Sequence, residues 1–138
     1  MPAKVFFDTN VLIYAVAEND PRSAQAEELL ASGGVLSVQV LNEFVSVARR
    51  KILMPLKDVM EALDAFRILC PSPLPITIEM HEAALRIAEK HGYNIYDAVV
   101  VAAALEAGCA TLYSEDFHDG QTIDGQLTNR NPFAKSSG

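Results

Sequence analysis

The stretch KVFFDTNVLIYA, residues 4–15, decides the fold, because an apolar run stops at an aspartate and resumes three residues later. Residues 5–7 are aliphatic and aromatic, which is typical of a short strand buried inside a parallel sheet. The next three residues, Asp8, Thr9 and Asn10, provide turn and capping side chains that begin a helix at about Asn10. We therefore expect Asp8 at the carboxyl end of a central strand, as a helix-start acid or as one wall of a site.

The rest of the chain alternates helix patterns with short strand patterns. Helices are predicted at 10–16, 21–32 (capped by Asp20), 39–53, 56–69, 79–90 and 94–108, further strands at 35–38 and 109–114, an extended segment at 75–78, and an acidic loop at 115–125. Strands separated by helical crossovers imply a three-layer α/β/α fold with a central parallel sheet. In such sheets the ligand crevice lies beyond the carboxyl ends of the strands.

Length and composition fit one globular domain over residues 1–138, with a poorly ordered tail expected from about 129. The longest apolar run, 98–105, is far shorter than the ~20 residues that span a bilayer, and we recognise no signal peptide. Cys70 and Cys109 show no metal-binding spacing. We therefore expect a cytoplasmic protein with two free thiols and no membrane contact.

The net charge of −7 argues against a protein that holds nucleic acid by a general excess of basic residues. An acidic domain can still act on RNA if bound cations, a local basic patch or a partner reverses the field near the substrate. The one basic cluster is Arg49, Arg50 and Lys51. These cations either complement the dipole at a helix end or contact phosphate.

Four acids fall at comparable places in the predicted fold: Asp8, Glu43, Asp97 and Asp116. Asp97 opens a helix that is apolar all round, so its carboxylate is expected to be partly desolvated. Each acid also has a plain structural explanation. Asp97 can complete a capping box with Asn94, Glu43 can be a solvated helix residue, and Asp116 can be one of several acids in a solvated loop.

The convergence of these acids on one crevice is more informative than any one of them. Four carboxylates at one place repel each other and require a counter-charge. Hard oxygen ligands with room for water suit Mg²⁺ or Mn²⁺. Metals held by carboxylates at the edge of an α/β sheet are suited to hydrolysis of phosphodiester bonds.

Four segments, FFDTNVLIYA, SVQVLNEF, NIYDAVVVAAALEAGC and LYSEDFHDGQ, strongly resemble those of a PIN-domain protein of the VapC-like toxin group. The resemblance runs in the right order from Lys4 to about Asp124. It implies a Mg²⁺- or Mn²⁺-dependent endoribonuclease that acts on RNA, commonly forms a homodimer and is neutralised by a small cognate antitoxin.

The same resemblance implies a set of site residues. The catalytic acids would be Asp8, Glu43, Asp97 and Asp116, and all of them except Glu43 would hold the metal. The auxiliary residues would be Thr9 or Asn10, Ser114, which would orient the last acid, and Asp119.

Other small acidic proteins fit the motifs less well. A receiver domain needs a pair of acids after its first strand and a lysine after a late strand, and neither FFDTN nor TLYSED provides them. A haloacid-type phosphatase needs a second aspartate at the position of Asn10. A PIN-like fold that serves as a non-catalytic RNA- or protein-binding module is the main alternative, and loss of acids would favour it.

Overall fold

The computed structural model describes residues 3–134. Its strands are β1 Val5–Phe7, β2 Thr111–Tyr113, β3 Thr122–Ile123 and β4 Leu127–Arg130. Its helices are α1 Thr9–Val16, α2 Ser23–Ala31, α3 Val38–Arg50, α4 Leu56–Leu69, α5 Ile78–His91 and α6 Ile95–Glu106.

The strands form a mixed sheet of order β1-β2-β4-β3. The pairs β1–β2 and β2–β4 are parallel, and β3 pairs with β4 in the antiparallel sense. Two isolated parallel bridges, Phe6 with Val35 and Ser37 with Leu74, extend the pairing on the other side of β1. The predicted α/β/α fold with a central parallel sheet is confirmed, with β3 added in the antiparallel sense, and it brings the carboxyl ends of β1 and β2 together.

The burial of β1 and α6 explains why these two elements lie at the centre of the fold. Phe6 and Phe7 of β1 are fully buried, as expected for a central strand. All residues of α6 from Ala98 to Ala104 are buried, so the apolar helix predicted from the sequence lies in the interior against α5. Gly34 lies so close to the Phe7 ring that a Cβ atom there would collide with it, which explains a glycine at this position.

Several predicted boundaries are wrong for local reasons. The strand predicted at 35–38 is reduced to two bridges, because Ser37 caps α3 and the helix begins at Val38. Asp20 does not cap α2; its carboxylate binds the backbone and guanidinium of Arg22, and the helix begins at Ser23. The extended segment at 75–78 ends early, because α5 begins at Ile78.

The largest difference lies at the carboxyl-terminal end. The segment 115–125, predicted as loop, contains β3, and the tail predicted from 129 begins with two residues of β4. Asn129 is fully buried, and a polar side chain at an inward-facing position hides the strand pattern from a search for alternating apolar residues. The last four residues, 135–138, for which disorder was also predicted, lie outside the described residues.

The structure also bears on two predictions from the sequence, the free thiols and the lack of a membrane-spanning segment. Both cysteines, Cys70 and Cys109, are buried and free, and burial raises the pKa of each thiol to about 11, so neither is an activated thiolate. No helix between residues 3 and 134 has the length and apolar character to cross a membrane.

Candidate active site

Asp8 stands where β1 ends and caps α1. Its Oδ1 accepts the Thr9 backbone N–H at 2.7 Å, and its Oδ2 accepts the Ser114 hydroxyl at 2.7 Å. Only 2% of the residue is exposed. Burial raises the pKa of Asp8 to about 7; the two hydrogen bonds oppose this shift, and the nearby carboxylates of Asp116 and Glu43 add to it. Asp8 is therefore a fixed carboxyl group that changes charge near neutral pH.

Ser114 connects the acid of β1 to the acid that follows β2. Its side chain is fully buried; the Oγ donates to Asp8 and accepts the Asp116 backbone N–H at 3.0 Å. The Asn10 Nδ2 lies 3.4 Å from the Ser114 Oγ and 3.4 Å from the Asp116 Oδ2. Burial is the main cause of the raised pKa of Asp116, followed by the Glu115 charge. These contacts hold Asp116 beside the end of β1.

Asn10 has one atom without a partner in this network. Its Oδ1 is buried and accepts no hydrogen bond within the part of the chain that the structure describes. A buried carbonyl oxygen left in this way costs about 1–3 kcal/mol, unless water or a cation satisfies it. The Oδ1 atom is thus a buried acceptor without a partner, on a side chain whose Nδ2 contacts Asp116 and Ser114.

Glu43 reaches the same place from the first half of α3. Its Oε2 accepts the Thr9 hydroxyl at 2.9 Å, and the residue is half-buried. Partial burial raises the pKa of Glu43, and the carboxylates of Asp97 and Asp116 raise it further. Glu43 is therefore not a solvated glutamate on an exposed helix face.

Asp97 lies in the first turn of α6, beside the N-cap Asn94, and is the fourth acid of the set Asp8, Glu43, Asp97 and Asp116, which we call the cluster. The Oδ1 of Asn94, the N-cap of α6, accepts the Asp97 backbone N–H at 2.9 Å, and the Asn94 Nδ2 donates to the Asp97 Oδ2 at 3.0 Å. The Asn94 cap weighed from the sequence is therefore present, but the Asp97 carboxylate accepts from the Asn94 side chain and not from its backbone N–H, as a capping box would require. Burial and then the Asp116 charge raise the pKa of Asp97, so its carboxylate also senses the other acids. The two roles are compatible.

Asp119 has a different environment from these four acids. Its Oδ1 accepts the backbone N–H of Asn131 at 3.0 Å. Within residues 3–134 it shares no hydrogen bond with the acids of the cluster. The contact fixes the loop after β2 to the chain that follows β4.

Asn129 was missed by the sequence analysis, which placed it in the tail. Its Nδ2 lies 3.2 Å from the carbonyl oxygen of Ser114 and 3.1 Å from those of Phe117 and His118. These three carbonyl groups bracket Asp116, so one buried amide fixes the loop that carries this acid. The only sequence signal for this role was the alternation in residues 127–130, LTNR, in which Leu127 and Asn129 face inward.

A cleft of about 370 Å³ opens beside the cluster and is lined by Glu43, Asp116 and Glu115, among others. At its rim the Tyr14 hydroxyl donates to the Glu115 Oε1 at 2.5 Å, and the Arg22 guanidinium carbon lies 3.8 Å from the centre of the Tyr14 ring. We refer to this space as the acid cleft. A larger cleft of about 590 Å³ elsewhere has no carboxylate in its lining.

The chemistry of the cluster fits a divalent cation. Among the described residues, no group of three or more His, Cys, Asp or Glu side chains is arranged to hold a metal ion. Burial nevertheless raises the pKa values of Asp8 and Glu43, neighbouring carboxylates add to both shifts, and the Asn10 Oδ1 lacks a partner. A divalent cation would lower these pKa values and satisfy the Asn10 Oδ1. Carboxylate and amide oxygens are its preferred ligands.

The segment from β1 to the loop after β2 carries the sequence pattern of a known family. A family model for the PIN domain matches residues 5–118. The chain belongs to the PIN domain family. This finding confirms the resemblance inferred from the motifs. A comparison with curated proteins gives no match for this PIN domain.

Solved structures share the fold of this PIN domain. The Mycobacterium tuberculosis toxin VapC20, described as cleaving the sarcin–ricin loop, has a TM-score of 0.68 at 22% identity, over 82% of this chain and 90% of its own. A toxin–antitoxin complex from Klebsiella pneumoniae gives 0.68 at 20% identity, over 94% and 98%. VapBC2 from Rickettsia felis, bound to a promoter DNA fragment, gives 0.64 at 19% identity, over 91% and 97%. At these identities the likeness shows the fold.

Proposed function

We propose that this PIN domain is a metal-dependent endoribonuclease that hydrolyses RNA phosphodiester bonds, and that it is the toxin of a toxin–antitoxin pair. The observation that supports the proposal is the hydrogen-bonded network that links Asp8, Glu43 and Asp116 through Thr9, Asn10 and Ser114, with a raised pKa for each of these acids and for Asp97. The structural neighbours described as toxins support the biological context. We further propose a homodimer in the cytoplasm, where the free thiols of Cys70 and Cys109 would stay reduced.

The proposed roles follow from the contacts of each acid. Asp8, Asp97 and Asp116 would hold Mg²⁺ or Mn²⁺, which when bound activates water and stabilises the leaving oxygen. Ser114 fixes the carboxylate of Asp8 and the backbone of Asp116, and the Asn10 Nδ2 lies 3.4 Å from the Asp116 Oδ2. Thr9 occupies the Oε2 of Glu43, which leaves Oε1 to accept a proton from the attacking water.

The direct test is cleavage of a mixed RNA pool by the purified protein. We expect cleavage with Mg²⁺ or Mn²⁺ and none with EDTA. We also propose that the antitoxin inserts a cationic side chain among the carboxylates of the acid cleft, as a charge-assisted hydrogen-bonding group. The protein co-purified with the small protein encoded beside it should therefore cleave the same pool much more slowly.

Each arm of this test can contradict a separate part of the proposal. Cleavage that persists in EDTA would rule out the metal-dependent mechanism. A co-purified pair that cleaves as fast as the free protein would rule out the antitoxin. A folded protein that binds RNA without cleaving it under any of these conditions would favour the binding module.

Replacing Asp97 with asparagine tests whether this acid is a ligand or only a cap. Metal that binds the folded state alone stabilises it by RT ln(1 + [M]/Kd), about 2.7 kcal/mol at a hundredfold excess over Kd. We expect the melting temperature of the wild type to rise with Mn²⁺ and that of Asp97→Asn to rise little. The main capping bond uses the backbone N–H of residue 97, so the substitution leaves it intact.

The matched control is Asp119→Asn, which removes the same charge from a loop aspartate outside the cluster. Its response to Mn²⁺ should equal that of the wild type. Melts of all three proteins in EDTA and in Mn²⁺ decide the question. An Asp97→Asn response equal to that of the wild type would remove Asp97 from the proposed metal site, and a lost response in the control would make Asp119 a ligand.

A further inference from the structure

The three consecutive cations at the end of α3 have different environments. The Arg49 Nη1 donates to the carbonyl oxygen of Met54 at 2.9 Å. The Arg50 Nε lies 3.4 Å from the carbonyl oxygen and 3.2 Å from the hydroxyl oxygen of Ser46. Both guanidinium groups are thus used to satisfy the backbone near the helix end. Arg49 and Arg50 therefore fit the first interpretation of this basic cluster, cations that stabilise the end of a helix.

Lys51 is not used in this way. Among residues 3–134 its ammonium group forms no ion pair and no side-chain hydrogen bond. Lys51 instead lines the acid cleft together with Glu43 and Asp116. It is the only Lys or Arg among the residues that line this cleft in the described part of the chain.

The position of this ammonium group matters because of the charge around it. The protein carries a net charge of −7, and three acids line the cleft, so the backbone of a nucleic acid is repelled from it. The Arg22 guanidinium group, which lies over the Tyr14 ring beside the cleft, is already paired with Asp20 at 2.8 Å. Among the residues that the structure describes, Lys51 is therefore the cation lining this cleft that has no other partner and can pair with a phosphate oxygen.

We propose that Lys51 binds a backbone phosphate of the RNA substrate at the lip of the acid cleft, a role that rests on the proposed nuclease function. A lysine ammonium is a compact charge on a flexible stem, which suits a phosphate that has to pass the cleft and be released. The contact would attract the RNA backbone at this point of the surface, whereas the net charge of −7 repels it. It is a substrate-binding role and takes no part in the chemical step.

The test compares two variants that remove one positive charge each, Lys51→Gln and Lys57→Gln. Lys57 is exposed in the first turn of α4 and does not line the acid cleft, so it controls for the change in net charge. Binding of a fluorescently labelled single-stranded RNA is measured in EDTA by anisotropy over a range of salt concentrations. Each contact with a single-stranded phosphate contributes about 0.7 to the slope of log Kd against log salt.

We expect Lys51→Gln to weaken binding by about three- to tenfold near 0.1 M salt and to reduce the slope by about 0.7. Lys57→Gln should match the wild type, and Lys51→Arg should restore most of the affinity, because the charge is kept. With metal present, the KM of Lys51→Gln should rise more than its kcat falls. Lys51 is exposed, so the melting temperature of Lys51→Gln should equal that of the wild type.

Equal affinities and slopes for Lys51→Gln and Lys57→Gln would overturn the phosphate contact, while cleavage by the wild type would leave the nuclease function standing. A changed affinity with an unchanged slope would also overturn it, because a phosphate contact has to release counterions. If the wild type neither binds nor cleaves RNA, the contact and the proposed function fall together.

Discussion

Replacing Asp8 with asparagine is expected to lower the rate of RNA cleavage by about a thousandfold, which corresponds to about 4 kcal/mol of activation free energy. Asp8 is the most buried acid of the cluster, and both of its oxygen atoms are fixed by hydrogen bonds. No neighbouring carboxylate can move into its place. Asparagine caps helices about as well as aspartate, so α1 should still form and the variant should fold.

The measurement is cleavage of a mixed RNA pool with Mn²⁺ by Asp8→Asn and by Asp64→Asn. Asp64 is exposed on α4, so its variant carries the same change in charge far from the proposed ligands. The control should keep the wild-type rate. If Asp8→Asn retains more than about a tenth of the activity, a loss of less than about 1.4 kcal/mol, Asp8 is not an essential ligand.

The metal-free protein is expected to become more stable as the pH falls from about 8 towards 5. The pKa of Asp8 is raised from 3.8 to about 7 in the folded state, so between these values the folded state binds more protons than the unfolded state. The free energy of unfolding therefore falls as the pH rises through this window. Three pKa units correspond to about 4 kcal/mol, present below about pH 4 and lost above about pH 7.

Urea unfolding in EDTA at about pH 5, 6, 7 and 8 measures this dependence. The raised pKa values of Glu43, Asp97 and Asp116 act in the same direction. Asp8→Asn should be more stable than the wild type at pH 8 and lose most of the slope, whereas Asp64→Asn should keep it. A wild-type protein that loses stability towards pH 5, or a variant with an unchanged slope, would contradict the assignment of the slope to Asp8.

Local patterns predicted the part of the site that lies on β1, α1 and α6. The apolar run before Asp8 and the all-apolar helix after Asp97 are each visible within a dozen residues, and the structure has both elements. The resemblance to PIN domains then identified the family, which the family match confirms. The roles of the four acids stay predictions.

The rest of the site depends on contacts between distant segments. β3 has two residues and β4 four, and the inward position of Asn129 is filled by an amide, so no apolar pattern revealed them. The different environments of Arg49, Arg50 and Lys51 were equally invisible, since each depends on which carbonyl group or cleft lies within reach. Sequence patterns locate elements, but they do not say which partner a long polar side chain finds.

The order of Asp116 and Asn129 along the chain has a consequence for synthesis, because the loop of Asp116 is made before the strand that fixes it. β1 pairs with β2 across more than a hundred residues, as Val5 with Thr111, and the loop that carries Asp116 is fixed only when Asn129 is in place. A chain that emerges amino terminus first cannot assemble the acid cleft until β4 has left the ribosome. If the protein is a toxin, nuclease activity therefore begins only after β4 has emerged and folded, and an inhibitor that is already present can bind the cleft as it forms.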